Sequence, residues 1–409
     1  MNFWTNPVNF VAQWLLGLLT GWGMPGWLAS LLIQFIGVVV LVSMMMLIDI
    51  FLVWIERKVV ARFQDRLGPN RVGPFGMIQP FADIIKLLIK EDITPDGADK
   101  LIYNLAPVLS LMSVLLLWAI VPLAPVIFGV DLNVGVLYII AAGAIGTLSI
   151  ILAAWASNNK FALVGAFRQV AVLVSFEVPM LATMLIPTVL AGSMGMNEIV
   201  QSQNVWYIVL APLAGLIFMV AAIAELGRAP FDLNEAESEI VAGYHIEYTG
   251  MKFGLFYAGE LLHAFTFGGF WAVLFLGGYR FFGLENLGPI VAAVILMAKA
   301  LFGYWLIMWV RYTVMRIRID HMLAFNWKFL TPLAFVLLML TALMNALLRG
   351  TSSGVYILGM LLTNVILGWV IIEILRGLSR RERERIEGVA TVKNFPSPHP
   401  LSQGERGKG

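Results

Sequence analysis

Hydrophobic positions in this chain come in blocks. Nine apolar stretches, 28–54, 101–127, 134–156, 170–192, 205–226, 254–277, 288–310, 329–348 and 354–375, alternate with shorter polar segments. A helix rises about 1.5 Å per residue, so about 20 residues cross the roughly 30 Å hydrocarbon core of a bilayer. The pattern predicts an all-α fold, a polytopic transmembrane helix bundle of about nine spans. Val8–Trp22 is apolar but short and Gly-rich, and is expected at the membrane interface. After the turn sequence Gly68-Pro69-Asn70-Arg71-Val72-Gly73-Pro74, the residues Ile78, Phe81, Ile85 and Leu88 recur on one helical face, with Asp83, Lys86 and Lys90 off it. That spacing predicts an amphipathic interfacial helix over 77–90. The chain thus divides into a membrane-embedded part, 1–375, and a charged tail, 376–409. The tail is expected to form a short helix through RGLSRRERERIEG and then to be disordered.

Composition sharpens this picture. The chain is 60% hydrophobic and 13% charged, against roughly 25% charge in soluble proteins. The net charge of +2 says little, but its distribution says more. Segments 55–100, 157–169, 227–252, 311–328 and 376–409 hold 24 of the 27 Lys and Arg residues. The positive-inside bias places the N-terminus outside and the C-terminus in the cytoplasm. The first basic residue is Arg57, so no secretory signal peptide is expected. There is no cysteine, which excludes thiolate-ligated iron–sulfur clusters and disulfides. Of the four histidines only His263 falls inside a span, so a bis-histidine haem is not expected. Electrons for any redox role must come from other subunits. No phosphate-cradling loop, metal-ligand spacing or nucleophile–base pair stands out, and no nucleic-acid partner is expected.

The candidate chemistry lies in acids beside and inside the spans. The stretch 228–260 carries Asp232, Glu235, Glu237, Glu239, Glu247 and Glu260. An acid at the centre of the bilayer costs about 2.5–3.5 kcal/mol on insertion scales. Asp232 with Glu235, just after Pro230, fits a helix-capping box, which explains two of these residues and not the rest. Glu177 lies two turns into a span, near Pro179 and Pro187, whose freed carbonyls can serve a hydrated path; a satisfied structural acid is the alternative. Glu225 closes one span and Glu260 begins the next, so a chain of titratable groups toward Glu177 is one arrangement they allow. Lys299 sits mid-span, either in a relay or in inter-helix pairing. Glu56, Arg57, Lys58, Arg62 and Arg66 continue the first span, and Arg311, Arg316, Arg318 and Asp320 suit either docking or simple anchoring.

These residues carry a resemblance. Glu56-Arg57-Lys58, GPNRVGPFGMIQPFADIIKLLIKED (68–92), SNNKFALVGAFR (157–168), AELGRAPFDLNEAESEIVAGYHIEYTGMKFGLF (224–256) and RIRIDHMLAFNWKFLTP (316–332) resemble the family of H-type membrane subunits of bacterial NADH:quinone oxidoreductases, respiratory complex I, which includes mitochondrial NADH dehydrogenase subunit 1. The likeness runs from about Ile48 to Glu373. It implies a bacterial inner-membrane subunit with quinone as substrate and no iron–sulfur cluster, flavin or covalently bound cofactor of its own. Its implied partners are other complex I subunits, including iron–sulfur quinone-module subunits and antiporter-like membrane subunits, and the lipid bilayer. The resemblance also implies a quinone chamber bordered by Glu56, Arg57, Arg66, Arg71, Asp83 and Lys86. A coupling path is implied through Glu177, Glu225, Glu235, Glu237, Glu239, Glu247 and Glu260. The chain departs from the family pattern at Val172, Phe176, Met315 and His321, where Gln, Tyr, Pro and Gln are common. An ion-coupled transporter working alone is the contrasting reading, and the related subunit of membrane-bound hydrogenases is a nearer one.

Overall fold

The computed structural model describes residues 6–232 and 240–392. The helices are α1 (Pro7–Gly21), α2 (Gly26–Phe63), α3 (Gln79–Ile89), α4 (Lys100–Trp118), α5 (Gly135–Ala156), α6 (Lys160–Ala191), α7 (Met196–Ser202), α8 (Tyr207–Leu210), α9 (Pro212–Glu225), α10 (Gly250–Phe275), α11 (Pro289–Thr313), α12 (Ile319–Leu347) and α13 (Ser353–Val392). Eight of them, α2, α4, α5, α6, α10, α11, α12 and α13, are long and apolar enough to cross a membrane. Among the described residues β-structure is limited to one isolated bridge, Ala124 with Ile127. The fold is the expected all-helical bundle.

The departures from expectation are at the ends of elements. The fifth expected span, 205–226, is two pieces: α8 stops at Leu210, Ala211 leaves the helical region, and Pro212 starts the 14-residue α9. Proline suits that position because the first turn of a helix needs no N–H from it. α2 runs to Phe63 rather than 54, about 57 Å at the helical rise, so its last turns carry Glu56 and Arg57 past an apolar core of about 30 Å. α6 begins ten residues before the expected 170, capped by Asn159, whose side chain accepts from the Phe161 N–H at 2.9 Å. α13 continues unbroken to Val392, through the expected boundary at 375; residues 393–409 lie outside the described residues. α1 forms, but at 15 residues it is too short to span, and it packs on α2.

α10 is the centre of the bundle. In its most apolar stretch 83% of residues are buried, against 11% in α13 at the periphery. Its partner α11 approaches closely because glycines meet at the crossing: a Cβ added to Gly303 would lie 2.7 Å from the Gly268 Cα. α3 packs on α2 and α10, while Phe81, Ile85 and Leu88 stay exposed on the outside. An apolar stripe turned away from the protein is the geometry of a helix lying against lipid, as its spacing predicts. The segment 240–249 is wedged into the ends of α4, α5 and α6. Tyr103 and Tyr248 stack with centroids 4.2 Å apart, and the Tyr103 hydroxyl donates to the Glu247 carbonyl at 2.8 Å.

Two polar features inside the bundle are structural. Pro179 has no N–H, which leaves the Ser175 carbonyl one turn earlier without its helical donor. Asn326, at the start of a π-helical stretch (Asn326–Leu330) inside α12, supplies it through Nδ2 at 2.6 Å. That carbonyl is therefore occupied by a side chain rather than open to a hydrated path. Lys299 resolves to pairing: its Nζ donates to the carbonyls of Leu276, Gly278 and Arg280 at 2.6, 2.9 and 2.6 Å, with the Trp206 ring 5.0 Å away. The ammonium closes the C-terminal end of α10, where carbonyls lack intrahelical donors and the helix dipole is negative.

Candidate functional site

Ionisable residues converge where the ends of α2, α9, α10 and α11 meet. Glu56 is buried near the end of α2. Its Oε1 accepts from Arg228 Nη1 at 2.9 Å, from Arg311 Nη1 at 2.5 Å and from the Tyr312 hydroxyl at 2.9 Å. Arg228 follows α9 directly and is itself buried. Its Nε lies 2.8 Å from Glu260 Oε1 on α10, an ion-pair contact without the alignment of a hydrogen bond. Burial works against the guanidinium charge, but the Glu260 and Glu56 carboxylates outweigh it and hold the Arg228 pKa above its ordinary value. One cation thus joins two carboxylates contributed by helices far apart in sequence.

Behind Glu260 the bundle holds a cavity of about 60 Å³ with both polar and apolar residues in its lining. Its lining includes Ser110 and Ser113 of α4, Thr147 of α5, Gln169 of α6, Glu225 of α9, Tyr244 of the wedged segment, and Glu260 and His263 of α10. A cavity of this size has room for several waters. Glu225 is buried, and its Oε2 has no hydrogen-bond partner among the described residues. Glu177 lies about two turns beyond Gln169 on α6, the helix that gives Gln169 and Leu173 to the lining. Charged groups thus run from Glu56 through Arg228 to Glu260, and the cavity that Glu260 lines also takes in Glu225.

Other expected positions fall differently. Arg57 pairs with Asp83 of α3 at 2.5 Å, and Lys86 reaches the same carboxylate at 3.5 Å. This places the flat helix and the end of α2 in one electrostatic unit. Arg66 is exposed and donates to Gln64 Oε1 at 2.7 Å, and Arg71 is exposed nearby. Glu247 does not line the cavity; its Oε1 accepts from Asn159 Nδ2 at 2.6 Å, at the start of α6. Glu235, Glu237 and Glu239 lie outside the described residues, and with Glu235 the expected capping box. His245, beside the wedge, is packed edge-on against Tyr244 and Phe253, and burial lowers its pKa to about 4.

Sequence reasoning passed over several residues. Asp49 is buried two turns before Glu56 on the same face of α2, with an unpartnered Oδ1 among the described residues. Its signal was present: one acid in the middle of a long apolar run. Arg228 and Tyr312 as partners of Glu56 had no local signal, because they are 172 and 256 residues away in sequence.

The model of the NADH dehydrogenase family matches residues 36–342. The chain belongs to this family. Among its relatives, the H-type subunit of the NADH-quinone oxidoreductase of Dehalococcoides mccartyi (strain CBDB1) is 46% identical over 305 residues, covering 74% of this chain and 84% of that protein. An NADH-quinone oxidoreductase subunit of the same type from Geobacter metallireducens is 45% identical over 303 residues, 71% of this chain and 90% of the relative. The corresponding NADH-quinone oxidoreductase subunit of Phocaeicola vulgatus is 40% identical over 344 residues, 81% and 96% of the two chains. For this NADH dehydrogenase family member, the matched region contains Glu56, Glu177, Glu225, Glu260 and the whole cavity lining, and it ends before α13.

Proposed function

We propose that this chain is the membrane subunit of a proton-translocating NADH:quinone oxidoreductase, that it helps form the quinone chamber, and that it couples quinone reduction to proton movement through its buried carboxylates. The observation that carries this reading is Arg228 bridging Glu56 and Glu260, with Glu260 also lining the cavity that contains Glu225. The chamber is bordered by the end of α2 and by α3, with Glu56, Arg57, Arg66, Arg71, Asp83 and Lys86 on that side. Neighbouring subunits that carry iron–sulfur clusters complete it. The relatives named above are one subunit of a larger oxidoreductase, and the charged surface around Asp83 suits docking to companions better than solute transport alone.

Quinone reduction takes up protons and changes the charge near Asp83 and the loop acids. At about 4 Å and an effective dielectric constant near 20, one unit of charge is worth about 4 kcal/mol, enough to bias a two-state equilibrium strongly. The change passes from Glu56 through Arg228 to Glu260, and then to Glu225 and Glu177. Glu235, Glu237, Glu239 and Glu247 belong to the same acid set. Antiporter-like subunits receive the signal beyond Glu177. In this orientation the Glu56 end is cytoplasmic, the N-terminus is outside and the α13 tail is cytoplasmic, in a bacterial inner membrane. Glu177→Gln and Glu225→Gln in the assembled complex test the relay. Each variant is expected to assemble and to lose coupled quinone reduction and proton pumping; unchanged coupling in both refutes it.

A further inference from the structure

His263 of α10 lines the cavity, and the path described above leaves it unused. It stands one turn beyond Glu260 on the same face of α10, the i,i+3 spacing that makes neighbours on a helix. Both residues line the cavity, and Glu225 of α9 lines it too. The imidazole stacks on Phe267, with centroids 4.8 Å apart and planes 23° apart, which fixes the ring. Neither ring nitrogen makes a hydrogen bond to the described residues.

A histidine kept only for packing would not need to share a cavity with two carboxyl groups, and an apolar ring would fill the same contact with Phe267. We propose that His263 is a proton carrier of the cavity, standing between Glu260 and Glu225; this rests on the relay reading above. The step balances without a co-reactant. When the Arg228 contact with Glu260 is released and Glu260 takes up a proton, that proton passes through cavity water to one ring nitrogen, leaving a carboxylate and an imidazolium. The other nitrogen then releases its proton to the Glu225 carboxylate, and the neutral ring returns in its other tautomer.

The titratable residues that line the cavity with His263 are Glu260 beside it on α10, Glu225 of α9 and Tyr244, and the polar residues that α4, α5 and α6 add are Ser110, Ser113, Thr147 and Gln169. Of the other elements packed on α10, α2 brings Asp49 and Glu56, α3 brings Asp83 and Lys86, α7 brings Glu198, and α11 brings Lys299; none of these lines the cavity.

Two variants in the assembled oxidoreductase, in sealed vesicles, test the proposal. His263→Phe keeps a ring against Phe267 and removes both nitrogens, while His263→Gly opens a space that a soluble azole can occupy. The initial rate of proton uptake during quinone reduction is recorded between about pH 5.5 and 8. His263→Phe is expected to lower this rate by at least about tenfold and to flatten its pH dependence, in keeping with the size of general acid–base effects. His263→Gly should show the same loss and recover with imidazole but not with pyrazole, which is the same size and is not protonated in this range. Uptake and pH profile matching the parent in His263→Phe overturn the proposal, as does equal rescue by both azoles. Failure of both variants to assemble also overturns it, in favour of a packing role. Glu225→Gln, run alongside, separates the two ideas. Intact coupling there sinks the relay itself, whereas lost coupling there with a normal His263→Phe sinks only the role of His263.

Discussion

Replacing Arg228 by Met removes the one cation that touches both Glu56 and Glu260. Its side chain is 3% exposed, that of Glu56 is 7% exposed and that of Glu260 is 20% exposed, so solvent screens little of the loss. Taking one partner out of a buried pair costs about 3–5 kcal/mol, because the remaining charge stays desolvated. The two carboxylates do not share this cost equally. Glu56 keeps Arg311 at 2.5 Å and the Tyr312 hydroxyl at 2.9 Å, whereas Glu260 has no other ion pair among the described residues. Most of the destabilisation is therefore expected to run through Glu260. Adding Glu260→Gln to Arg228→Met should recover more than half of it, and adding Glu56→Gln should recover little. The assay is the fraction of this polypeptide retained in the detergent-solubilised complex after graded heating, for the parent, the single variant and both doubles. A midpoint unchanged by Arg228→Met, or a larger recovery from Glu56→Gln than from Glu260→Gln, refutes the reasoning.

Three further predictions concern the scaffold. Lys299→Met leaves three carbonyls at the end of α10 without their donor and is expected to cost about 3 kcal/mol in the same heating assay. Lys299→Arg should not restore it, because a planar guanidinium cannot reproduce the three-way geometry; full stability in either variant contradicts the capping role. Gly303→Val presses on the Gly268 backbone at the α10–α11 crossing and should lower stability by about 1–3 kcal/mol or block assembly, while Gly17→Ala, with open space around it, should do neither. His245 has a folded pKa near 4 against 6.5 unfolded, so its contribution is fully present above pH 6.5 and is lost as pH falls toward 4, by at most about 3 kcal/mol. His245→Phe should flatten the acid limb of the stability profile between those values; an unchanged limb means the residue is not buried as described.

The bundle was legible because a bilayer imposes one length and one polarity on every span. The ends were not, for a physical reason: beyond the hydrocarbon a helix can continue on charged residues, as α2 does through Glu56 to Phe63 and α6 does from Lys160. The break at Ala211–Pro212 was hidden inside an unbroken apolar run, since hydropathy does not register backbone conformation. At the site, Glu56, Glu225 and Glu260 stood out as acids at span edges, and Glu177 as one inside. What joins them did not, because Arg228, Arg311 and Tyr312 meet Glu56 only through the tertiary fold. Lys299 had two readings, and only the positions of the Leu276, Gly278 and Arg280 carbonyls decided between them. The same holds for Asn326, whose service to the Ser175 carbonyl depends on where α12 packs against α6.

The central claim is that a carboxyl group in the cavity behind Arg228 changes its protonation when quinone is reduced. Infrared difference spectroscopy of the complex, recorded on quinone reduction with the parent and with Glu225→Gln, observes that event itself. The account predicts a protonated-carboxyl band in the parent that an inhibitor of quinone reduction removes and that Glu225→Gln loses. A spectrum that Glu225→Gln leaves unaltered contradicts it.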